Sequence, residues 1–364
     1  MDVPCASAHG HIIAGHAAEA LASLAPAQLA FLKQLPKAEL HAHLNGSIPL
    51  PVLQQLARDF LSSAAATPSS DSEAVRAGVA RLQQGVVLNE IDEFFALFPA
   101  IYALTATPAA LATAARAVLA HFLEPASPDS DASEAAYLEL RSTPRETPAM
   151  SRAAYIEAVL AEVERYPPER AALIVSLDRR MSPAVAEECV DAAIRLRRAG
   201  RRVVGVDLCG DPRAGDMALF APYFKKAKAA GLGLTLHIAE IEDFPPEETQ
   251  RLLSFEPDRL GHATFLDDAA KALVHARRTC IEICLSSNLI CKTVPHLDAH
   301  HIRYYLQHGH PINICTDDIL PFRNSLLAEY AILMAPPPLG LGLTEPEVEA
   351  VAKMGMECRF RAAA

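Results

Sequence analysis

The chain has 364 residues, of which 51% are hydrophobic and 21% charged, ordinary proportions for a globular fold with a large core. A formal net charge of −11 argues against nucleic acid or an anionic membrane as the main partner, and no apolar run is long enough to span a bilayer. None of the eight cysteines forms a Cys-x-x-Cys pair, and Cys280 and Cys284 read as small core residues on one face of a strand.

The Ala-rich opening to about Pro26 has three His and no Lys or Arg, so it lacks the basic start of a secretory signal and the Arg content of a transit peptide. A reducing, cytoplasmic compartment is expected. Short apolar runs then recur at Ala38 to Leu44, Tyr137 to Thr143, Ala172 to Leu177 and Arg202 to Leu208. Four more follow at Leu232 to Ile238, Asp258 to His262, Thr279 to Leu285 and Pro311 to Thr316. Helical stretches separate them, among them Ala153 to Tyr166, Ala184 to Ala199 and Asp267 to Arg278. Strands alternating with helices at this length favour an α/β fold of the TIM (β/α)8 barrel type. A doubly wound open sheet is the alternative, but no Gly-rich dinucleotide fingerprint follows any strand. The interval after the first strand holds extra helices, at Pro51 to Leu61 and Leu88 to Tyr102. It also holds the low-complexity run Ser62 to Ser72, and a second such stretch spans Glu124 to Ser133. Both read as surface loops within one domain: residues 1–34 form an extension with a leading helix, and residues 35–364 the barrel.

Alternation along the first strand puts His41 and His43 on the same side, which is half of a metal site. His237 ends the fifth strand, and Asp317 and Asp318 end the eighth. Three imidazoles and a carboxylate at the C-terminal tips of barrel strands converge on the face where such barrels keep their sites. That donor set suits zinc with one position left for water. Glu240, three residues beyond His237, is placed to reach a substrate beside the metal. His262 ends the sixth strand and is a candidate for proton transfer or electrostatics. Phe95, Phe98 and Tyr102 could form an apolar wall over the site.

The ordered motifs His-Ala-His-Leu, Asp-Leu-Cys-Gly-Asp, His-Ile-Ala-Glu, Gly-His and Thr-Asp-Asp resemble the adenosine and AMP-type deaminases of the amidohydrolase superfamily, from about Leu35 to Tyr330. The His-x-Glu and Pro-Cys-x-x-Cys signature of cytidine and tRNA deaminases is absent. Within the family, Leu35 to Ser47, Tyr137 to Arg145, Asp178-Arg-Arg and Leu285-Ser-Ser-Asn look most like the adenosine-deaminase-like branch that acts on N6-methyl-AMP. The resemblance implies one Zn2+ per chain on His41, His43, His237 and Asp317. It implies Glu240 as the proton donor to the purine ring, with His262 and Asp318 holding and polarising the attacking water. Substrate contacts are expected from His43, Asn45, Ile101, Tyr102, Asp178, Gly210 and Asp318. Asp207 would steady a metal-binding imidazole.

Adenosine deaminases carry Asp where this chain has Asn45, which favours a nucleotide over a free nucleoside. Lys292 is displaced by one position from the family pattern and gets no phosphate role. The chain ends soon after Met354, so a short last helix is expected. The resulting expectation is a monomeric deaminase of small purine nucleotides, giving IMP and an alkylamine from N6-substituted AMP. Two alternatives stand beside it: an adenosine deaminase acting on the nucleoside, and a catalytically silent barrel that binds purine or zinc.

Overall fold

Eight apolar runs form eight parallel strands that pair in chain order. They are β1 (Ala38–His43), β2 (Tyr137–Ser142), β3 (Ala171–Asp178) and β4 (Val203–Cys209), followed by β5 (Gly233–Ile238), β6 (Arg259–His262), β7 (Cys280–Ile283) and β8 (Ile312–Ile314). The computed structural model describes residues 5–6, 11–63, 70–84, 96–125, 132–243 and 245–360. The first and last strands meet where Ala42 bridges Asp317 in parallel and the His43 amide donates to the Asp317 carbonyl at 3.1 Å. The sheet is thus drawn into the (β/α)8 barrel that the strand–helix alternation predicts.

The helices begin where local chemistry lets them. Ser151, Ser182 and Asp267 each accept a hydrogen bond from the amide three residues on, capping Arg152–Val163, Pro183–Arg198 and Asp268–Arg277. Arg195, Arg197 and Arg198 fill the last turn of the second of these, opposite the negative end of its dipole. Among the described residues four α-helices lie between β1 and β2, at Leu50–Ser63, Ser70–Gln84, Phe98–Leu104 and Pro108–Leu123, which is the expected insertion.

Three expectations change. The continuous helix from Leu88 to Tyr102 does not hold: residues 96–97 turn, and a new helix starts at Phe98 with Pro99 in its first turn. Proline has no amide hydrogen to give a helix interior but fits a helix start. The rest of that stretch, with Phe95, lies outside the described residues, as do parts of both low-complexity runs. Strands β7 and β8 are also shorter than their apolar runs, because Leu285–Ile290 turns straight into a helix and the chain beyond Ile314 leaves the ladder for the site. Finally, the last helix is not short. Glu345–Glu357 runs for 13 residues, its start held by Glu347, which accepts from the Thr344 amide at 2.8 Å and hydroxyl at 2.7 Å, and it packs against β8 and β1.

The leading segment is tied to the barrel. The Ala14 amide donates to the Arg323 carbonyl at 2.9 Å, His11 Nε2 donates to the Asn324 carbonyl at 2.9 Å, and Ala17, Ala20 and Leu32 join the main core. The inside of the barrel is unusual. Leu, Ile and Val commonly fill such interiors, but here alternate residues project Glu39, His41, Glu139, Arg141, Asp207, Thr235, Arg259 and Glu282, all essentially buried. Charges this deep persist only if they are paired, and those of Glu139, Arg141, Asp207, Arg259 and Glu282 are. Glu282 accepts from Arg141 at 2.9 Å, Arg259 at 2.8 Å and Thr235 at 2.9 Å, and Arg259 reaches Glu139 at 2.6 Å. Among the described residues no single helix is long and apolar enough to cross a membrane.

Candidate active site

The strand tips bring the expected residues together. His237 Nε2 lies 3.0 Å from His41 Nε2 and 3.2 Å from His43 Nε2. Asp317 Oδ1 lies 3.7 Å from the first strand's inner imidazole, His41, and 3.6 Å from His43. A tetrahedral ion with arms of about 2.1 Å would need donor atoms about 3.4 Å apart, and these separations bracket that value.

The tautomers decide what those short nitrogen–nitrogen approaches mean. His41 Nδ1 donates to Glu282 at 2.6 Å, and His237 Nδ1 donates to the Leu208 carbonyl at 2.7 Å with Asp207 3.1 Å away. Each imidazole therefore turns a bare Nε2 lone pair toward the other, which repels unless a cation sits between them. Burial and the nearby cationic groups hold His41 well below its ordinary pKa, and burial above all brings His43 down to about 3. Both are neutral, as ligation requires. Burial works against charge on His237, but the Asp207 carboxylate outweighs it and raises that group. Asp317 is buried yet lowered, by His262, His43 and His237 and by Ser287, whose hydroxyl donates to Oδ2 at 2.8 Å. The residues present fit a divalent metal.

Backbone strain marks the same place. Ala239, His262, Ala263 and Asp317 all have positive φ (46°, 59°, 49° and 63°), and all four lie at or just beyond the tips of β5, β6 and β8. Such conformations cost of order 1–3 kcal/mol each and persist where the surroundings enforce them. They turn the chain abruptly and aim its side chains over the barrel mouth.

A cavity opens above these residues. His43, Asn45, Phe98, Tyr102, Asp178 and Gly210 line it, together with His237, Glu240, His262, Asp317 and Asp318. Glu240 Oε1 stands 3.7 Å from His262 Nε2, and His262 Nε2 stands 3.9 Å from Asp317 Oδ2. Asp318 is buried beside Asp317, and burial and that neighbour push it well above the carboxylate range. Gly210 sits at φ 94°, and a Cβ there would come within 2.9 Å of the Asp178 carboxylate, so the position demands glycine. Asn45 accepts from the Tyr155 hydroxyl at 3.2 Å and donates to Thr105 at 3.4 Å.

Ile101 is the exception among the expected substrate contacts. It is buried in the core and does not line the cavity, since a helix advances about 100° per residue and turns it away from Tyr102. Lys292 does not line the cavity either. Sequence reasoning passed over Glu282, Arg141, Arg259, Glu139, Ser287 and Gly46. For the first four a signal existed: a lone charge inside an otherwise apolar strand, as in Cys280-Ile-Glu-Ile, must have a buried partner.

A parallel barrel whose strand tips gather three imidazoles and a carboxylate under a cavity defines a metal-dependent hydrolase of the (β/α)8 class. The family model described as adenosine deaminase matches residues 36–363. The chain is 34% identical over 343 residues to an N6-methyl-AMP deaminase of Danio rerio, covering 91% of this chain and 92% of that one. Among solved structures, the Arabidopsis ADAL complexed with GMP superposes with a TM-score of 0.79 at 32% identity, covering 91% of this chain and 94% of that one. The same protein complexed with IMP gives 0.78 at 31% identity, with the same coverage. This chain belongs to the adenosine deaminase family and is a metal-dependent deaminase.

Proposed function

We propose that the chain hydrolyses N6-methyl-AMP and related N6-substituted purine nucleotides to IMP and an alkylamine, with one zinc held by His41, His43, His237 and Asp317. The observation that carries this reading is the meeting of the bare imidazole nitrogens with Glu240, His262 and Asp318 around one cavity. The likeness to N6-methyl-AMP deaminases over nine-tenths of the chain supports the substrate class. A three-nitrogen, one-oxygen donor set suits zinc.

When bound, the metal supplies the Lewis acidity that lets water act as a nucleophile near neutral pH. His262 and Asp318 hold and orient that water over the ring. Its oxygen bonds to the carbon bearing the amine while Glu240 delivers a proton to the adjacent ring nitrogen, so water adds across that carbon–nitrogen double bond. The carbon becomes tetrahedral. The water's remaining proton passes to the departing amine, the carbon–amine bond breaks, and a carbonyl is left on the ring. Asp207 and Glu282 keep His237 and His41 in the tautomer that presents Nε2. Asn45 places an uncharged amide where a carboxylate would repel a phosphate.

The test is a panel of adenosine, AMP, N6-methyladenosine and N6-methyl-AMP, run on protein whose metal content has been measured. The highest kcat/KM is expected on N6-methyl-AMP with one zinc per chain. A preference for adenosine would assign the nucleoside reaction instead, and full turnover by metal-free protein would refute the mechanism.

A further inference from the structure

At the end of the barrel away from the active site, the chain beyond the last helix folds under the strand starts. The Phe360 amide donates to Glu139 at 2.6 Å, and Arg259 Cζ stacks 3.6 Å from the Phe360 ring centroid. A Cβ on Gly205 or Gly233 would come within 2.6 Å or 2.4 Å of that ring, so the two glycines make its seat. Arg259 also donates to the Cys358 carbonyl at 3.0 Å. The segment Cys358 to Phe360 thus plugs the barrel floor, pinned by two of the buried charges.

That plug brings two thiols together. Cys280 opens β7 and is buried, Cys358 is half-buried, and both line one pocket on the floor. The Cys280 thiol donates to the Cys358 sulfur, its other partner being the Ile281 carbonyl at 3.9 Å. The pair is asymmetric. The hydrogen bond from Cys280 lowers the Cys358 thiol against burial, with help from the Arg259 charge, while burial above all pushes Cys280 well up. An ionisable thiol therefore stands on the pocket side with a protonated one behind it. The pocket is also basic. Arg197, Lys228, Arg278 and Arg359 line it, opposed by Asp258 alone among the described residues. Helix C-termini account for the first three of these cations, yet their charge still favours an anion in the pocket.

We infer that Cys280 and Cys358 form a thiol–disulfide exchange site, which takes an anionic small disulfide of the glutathione type and closes into a reversible staple across the barrel floor. The Cys358 thiolate attacks one sulfur of glutathione disulfide, the sulfur–sulfur bond breaks, and one glutathione leaves as its thiolate. Cys280 then gives up its proton and bonds to Cys358 Sγ, expelling the second glutathione thiolate. Two protein thiols and one glutathione disulfide become one protein disulfide and two reduced glutathiones. The closed bond ties β7 to the segment that carries Phe360. It also constrains the long chain between the two cysteines when the protein unfolds, which favours the folded state. Excess reduced glutathione runs the same steps backwards.

Incubation of the intact protein with glutathione disulfide tests this, followed by alkylation of the remaining thiols and mass spectrometry without reduction. The native protein is expected to lose two alkylatable thiols and to yield a linked pair of peptides containing Cys280 and Cys358. Cys280→Ser is expected to stop at the first step and keep one glutathione on Cys358. Cys358→Ser is expected to gain neither glutathione nor cross-link. Urea unfolding before oxidation shows that each variant is folded, and the oxidised native protein is expected to unfold at a higher urea concentration than the reduced one. Cystamine, a cationic disulfide, should react about tenfold more slowly than glutathione disulfide at low salt, with the gap closing as salt is added. Retention of both thiols in excess glutathione disulfide, or a cross-link that joins other cysteines, overturns the site. Equal rates with the two reagents overturn its selection of an anion.

Discussion

A Cβ added to Gly46 would lie 1.5 Å from Asp318 Oδ1. The two residues come from opposite ends of the barrel's strand order, one in the short turn Asn45–Ser47 after β1 and the other after β8. The missing side chain of the first is the space the second occupies. Gly46→Ala is therefore expected to displace the Asp318 carboxyl. Overpacking of this kind costs about 1–3 kcal/mol, and turnover should fall as far as it does in Asp318→Asn. Steady-state kinetics on the two variants checks this, and normal turnover in Gly46→Ala would show that Asp318 need not stand where it does.

Glu240→Gln keeps the size of the side chain and removes its transferable proton. General acid catalysis contributes about 10²–10⁴-fold, so kcat should drop by at least that order while metal content is unchanged. Metal analysis beside the kinetics separates loss of the proton from loss of the ion. A variant that turns over at nearly the native rate would move the proton donor elsewhere.

The Glu282 carboxylate is the hub of the barrel interior. It is fully buried, and Arg141, Arg259 and His41 hold it well below its ordinary pKa against the opposing effect of burial. Glu282→Gln leaves two buried guanidiniums short of an anion and frees the His41 tautomer. Breaking one partner out of such a network costs about 3–5 kcal/mol, and loss of a residue that orients a metal ligand weakens metal binding about 10–100-fold. Urea unfolding and metal titration read the two effects separately. Unchanged stability and unchanged affinity together would mean that the network is incidental.

His11, which does not line the cavity, gives a further pH dependence. Burial lowers its pKa to about 4, against the hydrogen bond to the Asn324 carbonyl, which raises it. Between about pH 6.5 and pH 4 the unfolded chain binds a proton at this residue that the folded chain refuses. Its contribution to stability is thus fully present above pH 6.5 and lost as pH falls toward 4, by about 3 kcal/mol in all. In His11→Gln the drop in urea midpoint from pH 7 to pH 5 should be smaller than in the parent. An equal drop in both proteins would assign the acid sensitivity to other groups.

What could be read in the sequence was whatever depends on local pattern. His41 and His43 betray themselves by alternation, and His237, His262, Asp317 and Asp318 by their place at the ends of apolar runs. What could not be read depends on long-range closure. Glu282 meets His41 across 241 residues of chain, and Gly46 matters only because β8 closes against β1. Ile101 was misplaced for a related reason: its neighbours Phe98 and Tyr102 do line the cavity, and only the rotation of the helix beginning at Phe98 decides which side chains face in.

Hydrolysis at the amine-bearing carbon of a purine nucleotide can be followed atom by atom. Purified, metal-loaded protein is incubated with N6-methyl-AMP in ¹⁸O-labelled water, and the products are weighed by mass spectrometry. The account requires IMP carrying one ¹⁸O at the ring carbonyl and one methylamine for each turnover. IMP without the label, or consumption of substrate without methylamine, would contradict it.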